Sequence, residues 1–440
     1  MSYLGAPDMK KQLEEIIHWY ELRQDQGGGL GVDELMGELD GVMAHVRDQF
    51  QEMEICSRLS SQEPDDLEAI KLLRPEGDRR LVARLADIAD FDDRLMGAMM
   101  GRFAGCTLGA AVELLEIDRM KGLAEIGGDE WPPMDYWQYV TNGDVLRYTK
   151  NRFIDYTRDR MCGVPVDDDI AYTLMGLMVV ERFGPCFGTA DVVAMWDELI
   201  PIAYTAEERA LENYRAGVDV EKIGEVNNPY VEWIGAWIRS DGWGYMSAGW
   251  PEVAAEMAYR DAVVSHRRNG VYGEMMFSAA IAAAFTLDCP LRAIEIGLQE
   301  IPAKSRFADA IRWALSVADD VTDYQDARDR VEAQFKDMNI VHAINNACLV
   351  VFGIALGGLD ITKAISQTVA MGMDNDCTAA TVGSLIGAVV GKDGIPAHWT
   401  EPFGDTIQSY FNGIESFSIK DVHARFMTQA EKVWAYHQSS

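Results

Sequence analysis

Gly97-Ala98-Met99-Met100-Gly101-Arg102-Phe103-Ala104-Gly105-Cys106-Thr107-Leu108-Gly109 places a glycine at every fourth position. Residues four apart lie one above another on a helix, so these glycines form a ridge without side chains. Gly383, Gly387 and Gly391 repeat the spacing near the other end of the chain. Each glycine costs about 1 kcal/mol in a helix relative to alanine, so two such ridges imply helices that pack unusually closely. The glycines themselves need no role beyond packing. Closely packed helices, however, hold the residues at their ends to fine tolerance.

Outward from these ridges, the periodicity stays helical. Leu13, Ile16, Ile17 and Tyr20 follow one helical face, and Met43, Val46, Phe50 and Met53 repeat a similar pattern. Residues 27–31 between them form a flexible glycine linker that lacks the Gly-Lys-Ser ending of a phosphate loop. Pro64 and Pro75, among charged residues, separate this hairpin from the rest. A boundary near Asp87 divides a helical extension, residues 1–86, from the main domain, residues 87–440. No run of alternating strands and no internal repeat appears, so the expected class is all-α. Residues 122–165, with Trp131, Pro132, Pro133, Tyr136 and Trp137, read as a long ordered loop or irregular excursion, of a length often used for lids.

The 440 residues suffice for a large core, and 39 basic against 71 acidic residues give a formal net charge of −32. That balance excludes a nucleic-acid backbone or an anionic membrane surface as the natural partner. The seven cysteines (56, 106, 162, 186, 289, 348 and 377) contain no C-x-x-C pair, which fits a reducing cytoplasm. The N-terminus lacks a basic start followed by an apolar core, so no secretory signal is expected. The apolar runs at 347–359 and 377–390 are broken by glycine and shorter than the roughly 20 residues of a membrane span. They read as buried core helices.

Two acidic clusters carry the chemistry. Asp167, Asp168 and Asp169 lead into a run of Ile, Leu, Met and Val, and Asp374 and Asp376 precede the second glycine ridge. Aspartate is a favoured helix cap and is stabilised in the first turn. A cap needs one carboxylate, whereas five at two helix starts are costly unless a cation lies between them. An all-oxygen set suits a hard cation such as Mg²⁺, Mn²⁺ or Ca²⁺. Zinc fits less well, because the seven histidines show no paired ligand spacing.

Four motifs in order complete the pattern: Gly101-x-x-x-Gly105-x-x-x-Gly109-x-x-x-Glu113, then Asp167-Asp168-Asp169, then Ser265-His266 with Asn269-Gly270, then Gly372-x-Asp374-x-Asp376. Over residues 93–391 this set resembles the ADP-ribosylglycohydrolase family. The resemblance implies a compact orthogonal all-α bundle with a Mg²⁺ or Mn²⁺ centre of two ions at the base of a cleft. It also implies hydrolysis of the N- or O-glycosidic bond that joins ADP-ribose, or a related ribosyl group, to a small-molecule or protein acceptor. Asp167, Asp168 and Asp169 match the family's Thr-Asp-Asp; alternatively Val166 takes the threonine's place and Asp167 and Asp168 are the paired aspartates. Asp374 and Asp376 match its later aspartates. The implied metal set is therefore Asp167, Asp168, Asp169, Asp374, Asp376 and Cys377, with Cys377 standing where Ser or Thr is usual. Cys106 stands where an aspartate is usual, and Arg239-Ser240-Asp241-Gly242-Trp243-Gly244 replaces a Gly-Asn-Gly stretch.

Glycosidic cleavage passes through an oxocarbenium-like state that carboxylates stabilise, and two ions about 3.5–4 Å apart can clamp a ribose diol and orient a water. Glu113, Asp168 and Asp169 are then the catalytic candidates. His266, Asn269, Gly270 and Tyr272 follow the family's third motif and are expected on the substrate side, together with Asp241 and Trp243. Among the crowded aromatics Tyr230, Trp233, Trp237, Trp243, Tyr245 and Trp250, the pair Trp233 and Trp237 reads as core. Trp243, in the Gly242-to-Gly244 turn, is the better ring for stacking on a sugar or base. The rival from another class is a non-catalytic, crystallin-like member, structural or ligand-binding, that keeps the fold. A metal-dependent phosphohydrolase is weakened by the lack of a His-Asp dipeptide.

Overall fold

The computed structural model describes residues 9–27, 30–139 and 154–439. It divides between Ser60 and Ser61 into two compact units. The smaller contains α1 (Met9–Asp25) and α2 (Leu30–Gln51), on the two periodic segments that predicted them, and the start of a short helix, Ser57–Gln62. The larger unit begins before the expected boundary near Asp87, because residues 61–86 are tied into its body. Glu63 is buried against Arg306, Ile70 of α3 (Leu67–Leu73) is fully buried, and Arg74 pairs with the buried Glu300.

The larger unit is helical almost throughout, and its centre is the antiparallel pair α4 (Phe91–Ala110) and α5 (Asn375–Val390). The glycine ridges meet backbone to backbone, as their spacing predicted. A Cβ on Gly101 would lie 2.1 Å from the Gly383 carbonyl oxygen, and one on Gly105 would lie 2.0 Å from that of Ala379. At the end of the seam, a Cβ on Gly109 would lie 2.4 Å from the Cα of Asp376. The chain therefore cannot carry any side chain at these positions without displacing the acidic start of α5.

Around this pair stand α6 (Asp168–Phe183), α7 (Ser240–Met246) and α8 (Asn269–Ala284). All 16 residues of α8 are buried, which explains its near-continuous apolar sequence from Met275 onward. The region at 122–165 contains the end of a helix, Ile117–Gly127, and an irregular stretch to residue 139; residues 140–153, and with them the centre of the expected lid, lie outside the described residues. Two strands too short to show alternation, β1 (Ile407–Gln408) and β2 (Ser416–Phe417), form an antiparallel pair, and Val164 bridges to Ile407 alongside them. This small hairpin braces the segment that delivers Asp167. No helix among the described residues is long and apolar enough to cross a membrane.

Candidate metal centre

Asp167 caps α6: its Oδ1 accepts the Asp169 N–H at 2.9 Å. The capping reading thus holds for one carboxylate of the first cluster, leaving its second oxygen and the other two aspartates unexplained. Asp374 precedes α5 but makes no capping bond with its side chain. It follows Gly372 and Met373, both in the left-handed region at φ 69° and 62°, a conformation that costs a residue with a Cβ about 1–3 kcal/mol. The Met373 carbonyl accepts the Leu114 N–H at 3.1 Å, which ties this strained turn to the residue after Glu113.

These elements bring one oxygen each of Asp167, Asp169 and Asp376 within 4.8 Å of one another. Asp376 is 4 % exposed, and its Oδ1 has no hydrogen-bond partner. A buried oxygen without a donor is costly, and three hard oxygens converging on one point fit a divalent cation. Burial, then the negative charge of Asp169 and Asp168, pushes Asp376 up to about 7. Asp169 is pushed up to about 8 by burial, which the Arg102 charge opposes and Asp168, Asp241 and Glu113 reinforce. Burial, followed by Asp376, Asp168 and Asp169, holds Asp167 well above the ordinary carboxylate range; burial and then Asp376 and Glu113 do the same for Asp374. Asp168 is raised by burial as well. Glu113 is exposed at the turn after α4, within the electrostatic reach of Asp169 and Asp374.

Arg102, in the middle of the first glycine ridge, is the residue the sequence reading missed. It is fully buried, donates from Nη2 to the Asp169 carbonyl at 2.8 Å and to Asp169 Oδ1 at 3.2 Å, and donates from Nη1 to Asp241 at 2.6 Å. A buried guanidinium requires buried carboxylates, and here they come from elements distant in the chain. Tyr156 and Tyr410 were missed too. Tyr156 donates to the Val166 carbonyl at 2.5 Å, and burial, then Asp168 and Asp167, pushes the Tyr410 hydroxyl up, placing both rings beside the acidic cluster.

The other expected positions have partners of their own. Cys377 is buried and its sulfur accepts the Trp237 indole N–H. Asp241 is the partner of Arg102 and also accepts the Tyr245 hydroxyl at 3.1 Å. The expected glycine-rich turn at Gly242 to Gly244 is part of α7 instead, and Trp243 is 1 % exposed. Its ring stacks on Phe187 at 5.0 Å and its N–H is donated to Glu274 at 2.9 Å, so the ring is core and offers no open face. Trp237 is likewise core, as read; Trp233 is half-buried.

The third motif surrounds residues 63–65 rather than the aspartates. Asn269 donates to Glu63 at 2.9 Å and to Glu232 at 3.0 Å, and Tyr272 donates to the Pro64 carbonyl at 2.5 Å. Gly270 lets the backbone approach Val231 and the His266 ring, which a Cβ would meet at 2.5 Å and 2.9 Å. His266 is buried, with Nδ1 2.8 Å from the Ser265 hydroxyl and Nε2 without a partner. Burial, then Arg239 and Arg267, lowers it well below its ordinary value and keeps it neutral. Arg267 and Arg268 pair with Glu225 and Glu232 at 2.7 Å each.

The ADP-ribosylglycohydrolase family model matches residues 87–431, well over half of the chain. Among solved structures 46 chains match. One is from an ADP-ribosylglycohydrolase-related protein complex, 19 % identical, with a TM-score of 0.51 over 79 % of this chain and 98 % of that one, a likeness of fold alone. No curated protein matches. The glycine seam, the ordered acidic motifs and the extent of the match lead to one conclusion: the chain belongs to the ADP-ribosylglycohydrolase family, hydrolases that act on the glycosyl bonds of ADP-ribosyl groups.

Proposed function

We propose that the chain is a cytoplasmic, Mg²⁺- or Mn²⁺-dependent glycohydrolase that releases ADP-ribose, or a closely related ribosyl group, from an N- or O-linked acceptor. The observation that carries this reading is the convergence of Asp167, Asp169 and Asp376 with a buried, partnerless Asp376 oxygen. Seven free cysteines support a reducing compartment.

In this reading Asp167, Asp169 and Asp376 hold the cation, which when bound polarises ribose hydroxyls and orients a water. Arg102 fixes Asp169 in its rotamer, and the Asp169 N–H bond fixes Asp167, so two of the ligands are positioned before any cation arrives. As the bond from the anomeric carbon to the acceptor breaks, positive charge develops on the ribose ring, and the carboxylate of Asp374 is the group assigned to stabilise it. Glu113, exposed at the rim, takes the proton of the attacking water; the acceptor leaves with a proton from Asp168.

Incubation with ADP-ribosylated arginine, ADP-ribosylated serine, ribosyl nucleosides and small ribosylated metabolites, each with Mg²⁺ or Mn²⁺, tests the proposal. Release of ADP-ribose or ribose by the native chain and not by an Asp374→Ala control is expected. Silence across the whole panel, with the protein folded and metal present, would overturn it.

A further inference from the structure

We infer that the centre is built for a single divalent ion, with the Arg102 guanidinium supplying the positive charge that a second ion would bring. This rests on the metal-dependent reading above.

Ligands of one octahedral ion at about 2.1 Å lie at most about 4.2 Å apart. The oxygens of Asp167, Asp169 and Asp376, all within 4.8 Å of one another, need only a small contraction to share one ion. Among the described residues they form the one such group of three or more acidic, His or Cys side chains. The partnerless Oδ1 of Asp376 gives that ion its missing donor contact.

A second ion 3.5–4 Å from the first would have to share these carboxylates. Asp169 is already shared, since its Oδ1 takes the Arg102 Nη2 proton at 3.2 Å while Nη1 holds Asp241 at 2.6 Å. An arginine stays charged at any physiological pH, and this one is wholly buried, so no water screens it. A dication bridging from Asp169 would therefore face a fixed cation at short range. Two of the side chains beside the cluster, Cys106 and Cys377, supply sulfur instead of oxygen, which leaves Asp168 and Asp374 as the aspartates outside the group of three. Cys106 is buried in the field of Asp167, and the Cys377 sulfur accepts the Trp237 N–H. Thiols are poor donors for Mg²⁺ or Mn²⁺. Arg102 is in this sense a positioning residue: it substitutes for charge and orients a ligand without touching substrate.

Metal content after Mn²⁺ loading and desalting, read with low-temperature electron paramagnetic resonance of the full chain, tests the inference. One Mn²⁺ per chain with the hyperfine pattern of an isolated ion is expected. Two ions with an exchange-coupled spectrum would overturn the inference while leaving the metal-dependent function standing; no bound Mn²⁺ would overturn both. In an Arg102→Met chain that folds, a second Mn²⁺ should enter and couple to the first. A folded Arg102→Met chain that still binds one uncoupled ion would remove the guanidinium from the explanation. If that variant does not fold, the native stoichiometry decides alone.

Discussion

Around Glu232 the buried carboxylates have their cations, whereas around Asp376 carboxylates outnumber cations. Glu232 lies against Arg306 at 2.7 Å, Arg268 at 2.7 Å and His342 at 3.6 Å, and Glu63 shares Arg306 at 2.9 Å. Burial alone would raise Glu232, but the His342 bond and the Arg306 and Arg268 charges outweigh it and hold the group down at about 2. At the α4–α5 seam, the five aspartates of the two acidic clusters have one buried guanidinium beside them, Arg102, which Asp241 shares, and burial pushes Asp376 up to about 7 and Asp169 up to about 8. Carboxylates in the two regions thus shift in opposite directions, according to the cations beside them. A matched cluster is architecture; a carboxylate surplus held rigidly in the interior marks the place where a cation and a substrate complete the charge balance.

Removing Asp376 should break the comparison most sharply. Asp376→Ala is expected to lower turnover by about 10³-fold, the scale of losing one group that stabilises transition-state charge, and to abolish Mn²⁺ binding by calorimetry, while the fold persists by circular dichroism. The matched cluster should respond in the opposite sense. Glu232→Ala leaves partly buried cations uncompensated, so a loss of about 3–5 kcal/mol in denaturant melts is expected, with kcat and KM of the folded enzyme unchanged.

Gly105→Ala tests the scaffold that holds the surplus in place. Its Cβ would fall 2.0 Å from the Ala379 carbonyl, and forcing the helices apart should cost about 1–3 kcal/mol. The equivalent change at Gly109, against the Asp376 backbone, should weaken Mn²⁺ binding more than it lowers the melting temperature.

The pH dependence separates the two regions most gently. Asp376 and Asp169 have folded values above the ordinary 3.8, so the folded state binds protons more tightly than the unfolded one. In chelator, the melting temperature should therefore rise as pH falls from about 8 toward 5. Glu232 lies below its ordinary 4.5. Its contribution is present above that value and is lost as pH falls toward about 2. A Glu232→Gln chain should lose stability near neutrality and show a flatter acid limb in the same melts.

Much of the surplus was legible in the sequence, because its carriers sit at chain-local signals. Glycines four apart announce a helix ridge, and consecutive aspartates at a helix start exceed what a cap needs. Arg102 was not legible, since its partners Asp169 and Asp241 lie 67 and 139 residues away and one arginine gives no periodic signal. For the same reason the third motif pointed to substrate. Nothing local in Asn269 or Tyr272 reveals that Glu63 and Pro64, 206 and 208 residues distant, occupy their polar atoms. Trp243 misled because two flanking glycines suggested a turn; in α7 they instead allow close helix packing, since a Cβ on Gly244 would lie 2.7 Å from Ile281.

The most direct test of the central claim is a thermal melt of the native chain and of Asp376→Ala, each with and without Mn²⁺ at about 100 times its dissociation constant. An ion that binds only the folded state adds about 2.7 kcal/mol at that excess. The native chain should melt several degrees higher with Mn²⁺, and Asp376→Ala should not move. Equal shifts in both proteins, or none in the native chain, would contradict the assignment of the aspartate surplus as a metal centre.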